Sequence, residues 1–88
     1  MVGLATQGEQ TRSLAEIETN ENVCIRSILF GMLRELCRDL GIQEGDEVLC
    51  RKAAPSVLIL RTRDRTVVLE RDLARFIEVS RAAPRPRP

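Results

Sequence analysis

Histidine, tryptophan and tyrosine are all missing from this 88-residue chain. Without histidine no Ser-His or Cys-His dyad can be assembled, so acyl-transfer chemistry of that kind is excluded. The imidazole that helps hold ferrous iron is missing with it. No Gly-rich phosphate loop is present. The neighbouring carboxylates of Asp46 and Glu47 would alternate across a strand and point opposite ways. The chain therefore reads as a non-enzyme that needs no cofactor. Cysteine is sparse: Cys24, Cys37 and Cys50 stand thirteen residues apart, with no close pair, and match no zinc-ligand spacing. No apolar run approaches the roughly 20 residues that would cross a bilayer. The opening MVGLATQGEQ has neither the basic region nor the apolar core of a signal peptide. With no export signal and no disulfide framework, the expected compartment is the reducing cytoplasm, without membrane insertion.

What remains is an ordinary soluble composition, 43% hydrophobic and 31% charged. The length allows one domain, of a size that buries only about 60% of its unfolded surface. With Phe30 and Phe76 as the only aromatics, the core must come from Val, Ile and Leu. Fourteen basic residues against 13 acidic give a net charge of +1, which offers no general attraction to nucleic acid or to an anionic membrane.

The chain is organised around Gly31 to Cys50. Met32, Leu33, Leu36, Cys37 and Leu40 fall at spacings of three and four, which predicts a helix over about 32–40 with these residues on its apolar face. On that reading Leu36→Asp should unfold the domain. Gly41 follows where a left-handed cap suits glycine, and Ile42 supplies the apolar residue that packs back on it. Glu44-Gly45 makes a second turn. Before the helix, residues 1–12 are polar and aperiodic and read as disordered. Ser13 and Glu16 have capping-box spacing, Leu14 and Ile17 share a turn, and a strand runs over 23–29 with Val23 and Ile25 on one face. After it come strands at 46–52, 57–62, 66–69 and 76–79, with Ala53 to Ser56 breaking the second strand at Pro55. Residues 57–69 form the clearest hairpin, and Glu70 to Ala74 one helical turn. The end, AAPRPRP, alternates proline and reads as an extended tail over 81–88. Five short strands with one inserted helix predict a mainly β, small antiparallel barrel spanning residues 13–80.

The order of motifs resembles the FeoA family, the small ferrous iron transport protein A domains. The resemblance rests on Leu14-x-x-Ile17, Val23-x-Ile25, the LxxxCxxLGI run ending at Ile42, Glu44-Gly45-Asp46-x-Val48, Ala54-Pro55, Val67-x-Leu69 and Ala74-x-x-Ile77-x-Val79. It implies an SH3-like barrel and a cytoplasmic accessory or regulator of ferrous iron uptake, acting on the GTPase portion of the FeoB ferrous iron permease. A similar domain occurs at the C-terminus of some iron-dependent repressors, so a stand-alone role in transcriptional regulation or nucleic-acid binding is the alternative. The family name carries an association with transition-metal binding.

A domain without cleft or cofactor must act through its surface. Leu29, Phe30 and Met32 flank Gly31 outside clean strand alternation. They are the first candidates for binding a protein partner or for self-association, because interface cores favour apolar and aromatic anchors. The packing alternative makes them a staple between helix and sheet. Arg61, Arg63 and Arg65 near the hairpin turn form the alternative site, for an acidic partner or nucleic acid. Too few aromatic rings for base stacking weigh against nucleic acid. Cys37 and Cys50 take inward positions and read as core thiols. Cys24 faces the other way and is the one weak metal candidate, although no ligand set surrounds it in the sequence.

Overall fold

The computed structural model describes residues 11–82. The structure has six strands, all but the first built on apolar alternation: β1 (Arg12–Ser13), β2 (Glu21–Ile28), β3 (Glu47–Ala54), β4 (Val57–Arg61), β5 (Thr66–Glu70) and β6 (Ile77–Arg81). Helix α1 (Gly31–Leu40) is inserted between β2 and β3, and the short α2 (Arg71–Ala74) between β5 and β6. All pairings are antiparallel, in the order β1-β6-β2-β3-β4-β5. The fold is mainly β with one main helix, an SH3-like arrangement.

Two expectations change in detail. The strand count is six rather than five, because Arg12 and Ser13 pair with Val79 and Glu78. Two residues are too few to carry a period-2 signal, so nothing in the sequence marked them as a strand. Arg12 also forms an ion pair with Glu21. The second predicted strand does not break at Ala53, because Ala54 still pairs with Val57 across a register shift and only Pro55-Ser56 turn. The remaining expectations for 1–10 and 83–88 lie outside the described residues.

The end strands β1 and β5 are not paired with each other, so hydrogen bonding does not close the barrel. A 3-10 turn at Leu14–Glu16 and helix α2 span that side, α2 packing on β4, β5 and the turn. Ser13 Oγ caps the turn by accepting the Ala15 N–H at 3.1 Å. Arg71 ties the bridge together, donating to the Ala15 and Pro55 carbonyls at 3.1 Å each. Glu18 accepts from Lys52 at 2.8 Å and pairs with Arg71 at 3.5 Å. The Lys52 hydrogen bond and charge hold the Glu18 carboxyl below its ordinary range.

Inside, Leu14, Ile17, Val23, Ile25, Ile28, Leu58, Leu60, Ile77 and Val79 are fully buried. No buried side-chain nitrogen or oxygen lacks a partner among the described residues. Helix α1 closes the core with Leu33, Cys37 and, partly, Leu40. Its end is a Schellman cap. Gly41 adopts φ 93°, its N–H reaches the Arg38 carbonyl, and the Ile42 N–H reaches the Cys37 carbonyl at 2.8 Å. Leu36 corrects the expected face: it is 40% exposed and Met32 is 87% exposed. Positions 33, 37 and 40 make the inner stripe, whereas 32 and 36, four apart, make a second stripe turned outward.

Candidate functional site

The segment between β2 and α1 is held from both sides. The turn at Gln43–Asp46 is bonded to the middle of β2: Gly45 N–H donates to the Ile25 carbonyl at 2.7 Å, and Ile25 N–H to the Asp46 carbonyl at 2.8 Å. Gly45, at φ 96°, supplies the left-handed residue that this turn requires. So placed, Glu44 accepts the Ile28 N–H on Oε2 at 2.8 Å, while Arg34 Nη2 donates to the Ile28 carbonyl at 2.9 Å. The two side chains stand 3.8 Å apart. One residue further, Leu29 N–H donates to the Phe76 carbonyl at 3.0 Å. A register shift between Ile25 and Ser27 in the β2–β6 ladder precedes this segment, the kind of irregularity that re-aims a strand end.

The clamp presents apolar side chains outward. Phe30, at 53% exposure, sets its ring edge-on to Phe76 with centroids 5.0 Å apart and planes at 72°. The Arg75 guanidinium lies 5.6 Å from the Phe76 ring centre. Leu29 is 47% exposed, and Leu36 continues the patch one helical turn beyond Met32. The three residues singled out in the sequence are thus all exposed. Sequence reasoning missed the Phe30–Phe76 and Arg75–Phe76 contacts and the exposure of Leu36. The i,i+4 relation of Met32 to Leu36 was the available signal. Nothing local pointed to Phe76, which is placed by β-pairing across almost fifty residues of chain.

The arginine ridge divides. Arg61 and Arg63 are exposed and border a groove of about 880 Å³ between the hairpin and residues 41–49. Arg65 turns away from it to the end of α1, donating from Nη1 to the Leu40 carbonyl at 3.2 Å. The sequence placed all three near one turn, but only two line the groove.

The thiols separate as their alternation implies. Cys37 and Cys50 are fully buried, and Cys24 is half-buried with its Sγ 3.9 Å from the Gly45 carbonyl oxygen. Burial pushes the Cys37 thiol up and the Cys50 thiol from 9.0 to about 11, with the Glu21 charge adding to the latter. Among the described residues no three His, Cys, Asp or Glu side chains converge as a metal site. No helix among them is long and apolar enough to cross a membrane.

Comparison with known proteins agrees with this architecture. The model of the FeoA domain family matches residues 12–81. A search of curated proteins found no match. Among solved structures, a FeoA-like protein from Clostridium acetobutylicum superposes with a TM-score of 0.74 at 24% identity, over 91% of this chain and 96% of that one. A crystal structure described as an iron uptake regulatory protein, FeoA, gives 0.74 at 17% identity, over 83% of this chain and all of that one. ScaR with bound Zn2+ gives 0.72 at 15% identity, over 90% of this chain but 40% of that one. At these identities the superpositions show the shared fold.

Proposed function

We propose, from the premise that this chain belongs to the FeoA family, that it is a protein-interaction module that regulates ferrous iron uptake by docking on the cytoplasmic GTPase portion of the FeoB permease. The family is one of accessory and regulatory domains associated with ferrous iron uptake. The observation that supports docking is the clamped apolar surface of Leu29, Phe30 and Met32, with Phe30 as its anchor. Large apolar side chains left in water beside an arginine are the composition of an interface core. The clamp on Ile28 fixes the backbone before binding, so little ordering entropy is lost on association. The same surface could serve self-association, which sedimentation of the free chain would reveal.

The test compares Phe30→Ala with the parent in a pull-down by the cytoplasmic portion of the permease, beside thermal denaturation. Binding should weaken by about 2 kcal/mol or more. Stability should fall by only about 1 kcal/mol, the scale of the edge-on ring pair. A loss of about 3–5 kcal/mol in stability would make Phe30 a packing residue and move the partner site to Arg61 and Arg63.

A second reading, a FeoA-like domain in transcriptional regulation, is favoured by the likeness to ScaR, a longer chain of which 40% is matched. Nucleic acid recovered with the purified chain in place of the permease portion would select it.

A further inference from the structure

The two edge strands of the sheet are built differently. β1 is cut to two residues, and a short edge strand is one way in which proteins keep an edge from pairing with another chain. β5, at the other edge, runs over five residues, TVVLE. It holds no lysine, proline or glycine, and its register with β4 runs without a bulge. The devices that blunt an edge are thus missing from β5, while its Thr and Val residues favour strand pairing.

The hairpin decides which backbone groups of β5 face outward. At one end of the ladder the Thr62 N–H donates to the Arg65 carbonyl at 2.9 Å, and at the other the Arg71 N–H donates to the Ser56 carbonyl at 2.9 Å. Hydrogen-bonded pairs alternate along an antiparallel ladder, so between these ends Leu60 bonds Val67 and Leu58 bonds Leu69. Thr66, Val68 and Glu70 therefore turn their N–H groups away from β4, and Thr66 and Val68 their carbonyls as well. The Glu70 carbonyl, at the N-cap of α2, is directed to that helix. Among the described residues β4 is the only strand paired with β5. All three residues are exposed, Val68 to 63%. Ile59, opposite Val68 on β4, is only half-buried, so an apolar row continues across the outer face.

We propose that β5 pairs with β5 of a second copy of this chain, antiparallel about a two-fold axis at Val68, so that the two sheets join edge to edge. The Val68 N–H of each copy donates to the Val68 carbonyl of the other, and the Glu70 N–H of each to the other Thr66 carbonyl. In this register the strand is its own complement. Val68 meets Val68 within the apolar row that Ile59 continues, and Glu70 meets Thr66 rather than a like charge. A parallel pair in register would instead set Glu70 against Glu70. Arg65 and Arg71 come opposite each other next, but each is held by its own chain. Arg65 is bonded to the Leu40 carbonyl, and Arg71 to the Ala15 and Pro55 carbonyls and the Glu18 carboxylate. A five-residue edge is smaller than a standard protein interface, so the dimer is weak and forms at high local concentration. This contact is separate from the Phe30 surface and from any permease.

The experiment is sedimentation of the full chain from micromolar to millimolar concentration, beside amide exchange over the same range. The parent should pass reversibly from monomer to dimer, and the Val68 and Glu70 amides should exchange fast when dilute and slowly when dimeric. Val68→Lys should abolish the dimer and leave the thermal melt unchanged, because the side chain is exposed. Thr66→Lys sets a lysine opposite Glu70 at two symmetry-related places and should tighten the dimer about two- to tenfold. Thr66→Glu should loosen it, and Phe30→Ala should leave it as it is. A chain that stays monomeric at millimolar concentration would overturn the proposal. So would a dimer that survives Val68→Lys, one that is weakened by Thr66→Lys, or one that is lost in Phe30→Ala. Val68 and Glu70 amides protected at every concentration would show that the edge is already covered within one chain, and would overturn it too.

Discussion

Arg65 lies directly over Gly41. A Cβ built on Gly41 would stand 2.7 Å from Arg65 Nη1 and 2.9 Å from its Cδ. The glycine thus serves two purposes at once. It adopts the left-handed φ of 93° that ends α1, and it leaves room for the arginine that satisfies the Leu40 carbonyl.

Gly41→Ala should therefore lose about 1–2 kcal/mol of stability from the left-handed backbone alone. Arg65→Ala in the parent should lose at most about 1 kcal/mol, the scale of one exposed hydrogen bond. In the Gly41→Ala background the arginine is already displaced, so its removal should then cost almost nothing. Chemical denaturation of the four chains measures this cycle. Equal costs of Arg65→Ala in both backgrounds would show that the arginine keeps its bond beside alanine.

The second prediction separates the two stripes of α1. Leu36→Asp should change stability by less than about 1 kcal/mol, as surface substitutions do. Leu33→Asp should abolish the cooperative melt, because it forces a carboxylate into the core. The two thermal melts decide the matter. Similar losses for both variants would mean that Leu36 is buried in solution.

Much of this fold was legible in the sequence because its signals are local. The Gly41-Ile42 cap, the Glu44-Gly45 turn and the inward places of Val23, Ile25 and Cys50 all follow from neighbours within a few residues. Leu36 was misplaced because five apolar residues on a ten-residue helix cover more than one face, and only the partner sheet selects which stripe faces in. The pairing of β1 and the Phe30–Phe76 contact depend on β6, far along the chain, so no periodicity announces them. Arg65 was grouped with Arg61 and Arg63 because sequence spacing cannot say which carbonyl a long side chain will reach.

The third prediction concerns alkali. Cys50 holds its proton more tightly folded than unfolded, with the value raised from 9.0 to about 11. A raised value means that its stabilising contribution is complete below about pH 9 and is lost as pH rises towards about 11. Cys37 shifts in the same direction. Denaturation midpoints should fall over that range. Cys50→Val should flatten the fall, and an unchanged slope in that variant would assign it to other groups. At pH 8 a thiol reagent should label Cys24 in the native chain, and Cys37 and Cys50 only after unfolding.

The antiparallel pairing of Arg12 with Val79 and of Ser13 with Glu78 has a mechanical consequence. Thr11 and Ala82 emerge from the same end of one ladder, so a force applied between them peels the strands apart one pair at a time instead of shearing the whole ladder. The two-residue β1 yields first, and the load then passes to the β6–β2 pairing behind it. Optical-tweezers pulling from these ends should open the domain at lower force than pulling from Thr11 against the hairpin turn. A domain with both leads on one edge can be set into a longer polypeptide without rerouting a strand, but it serves there as a mechanically weak link.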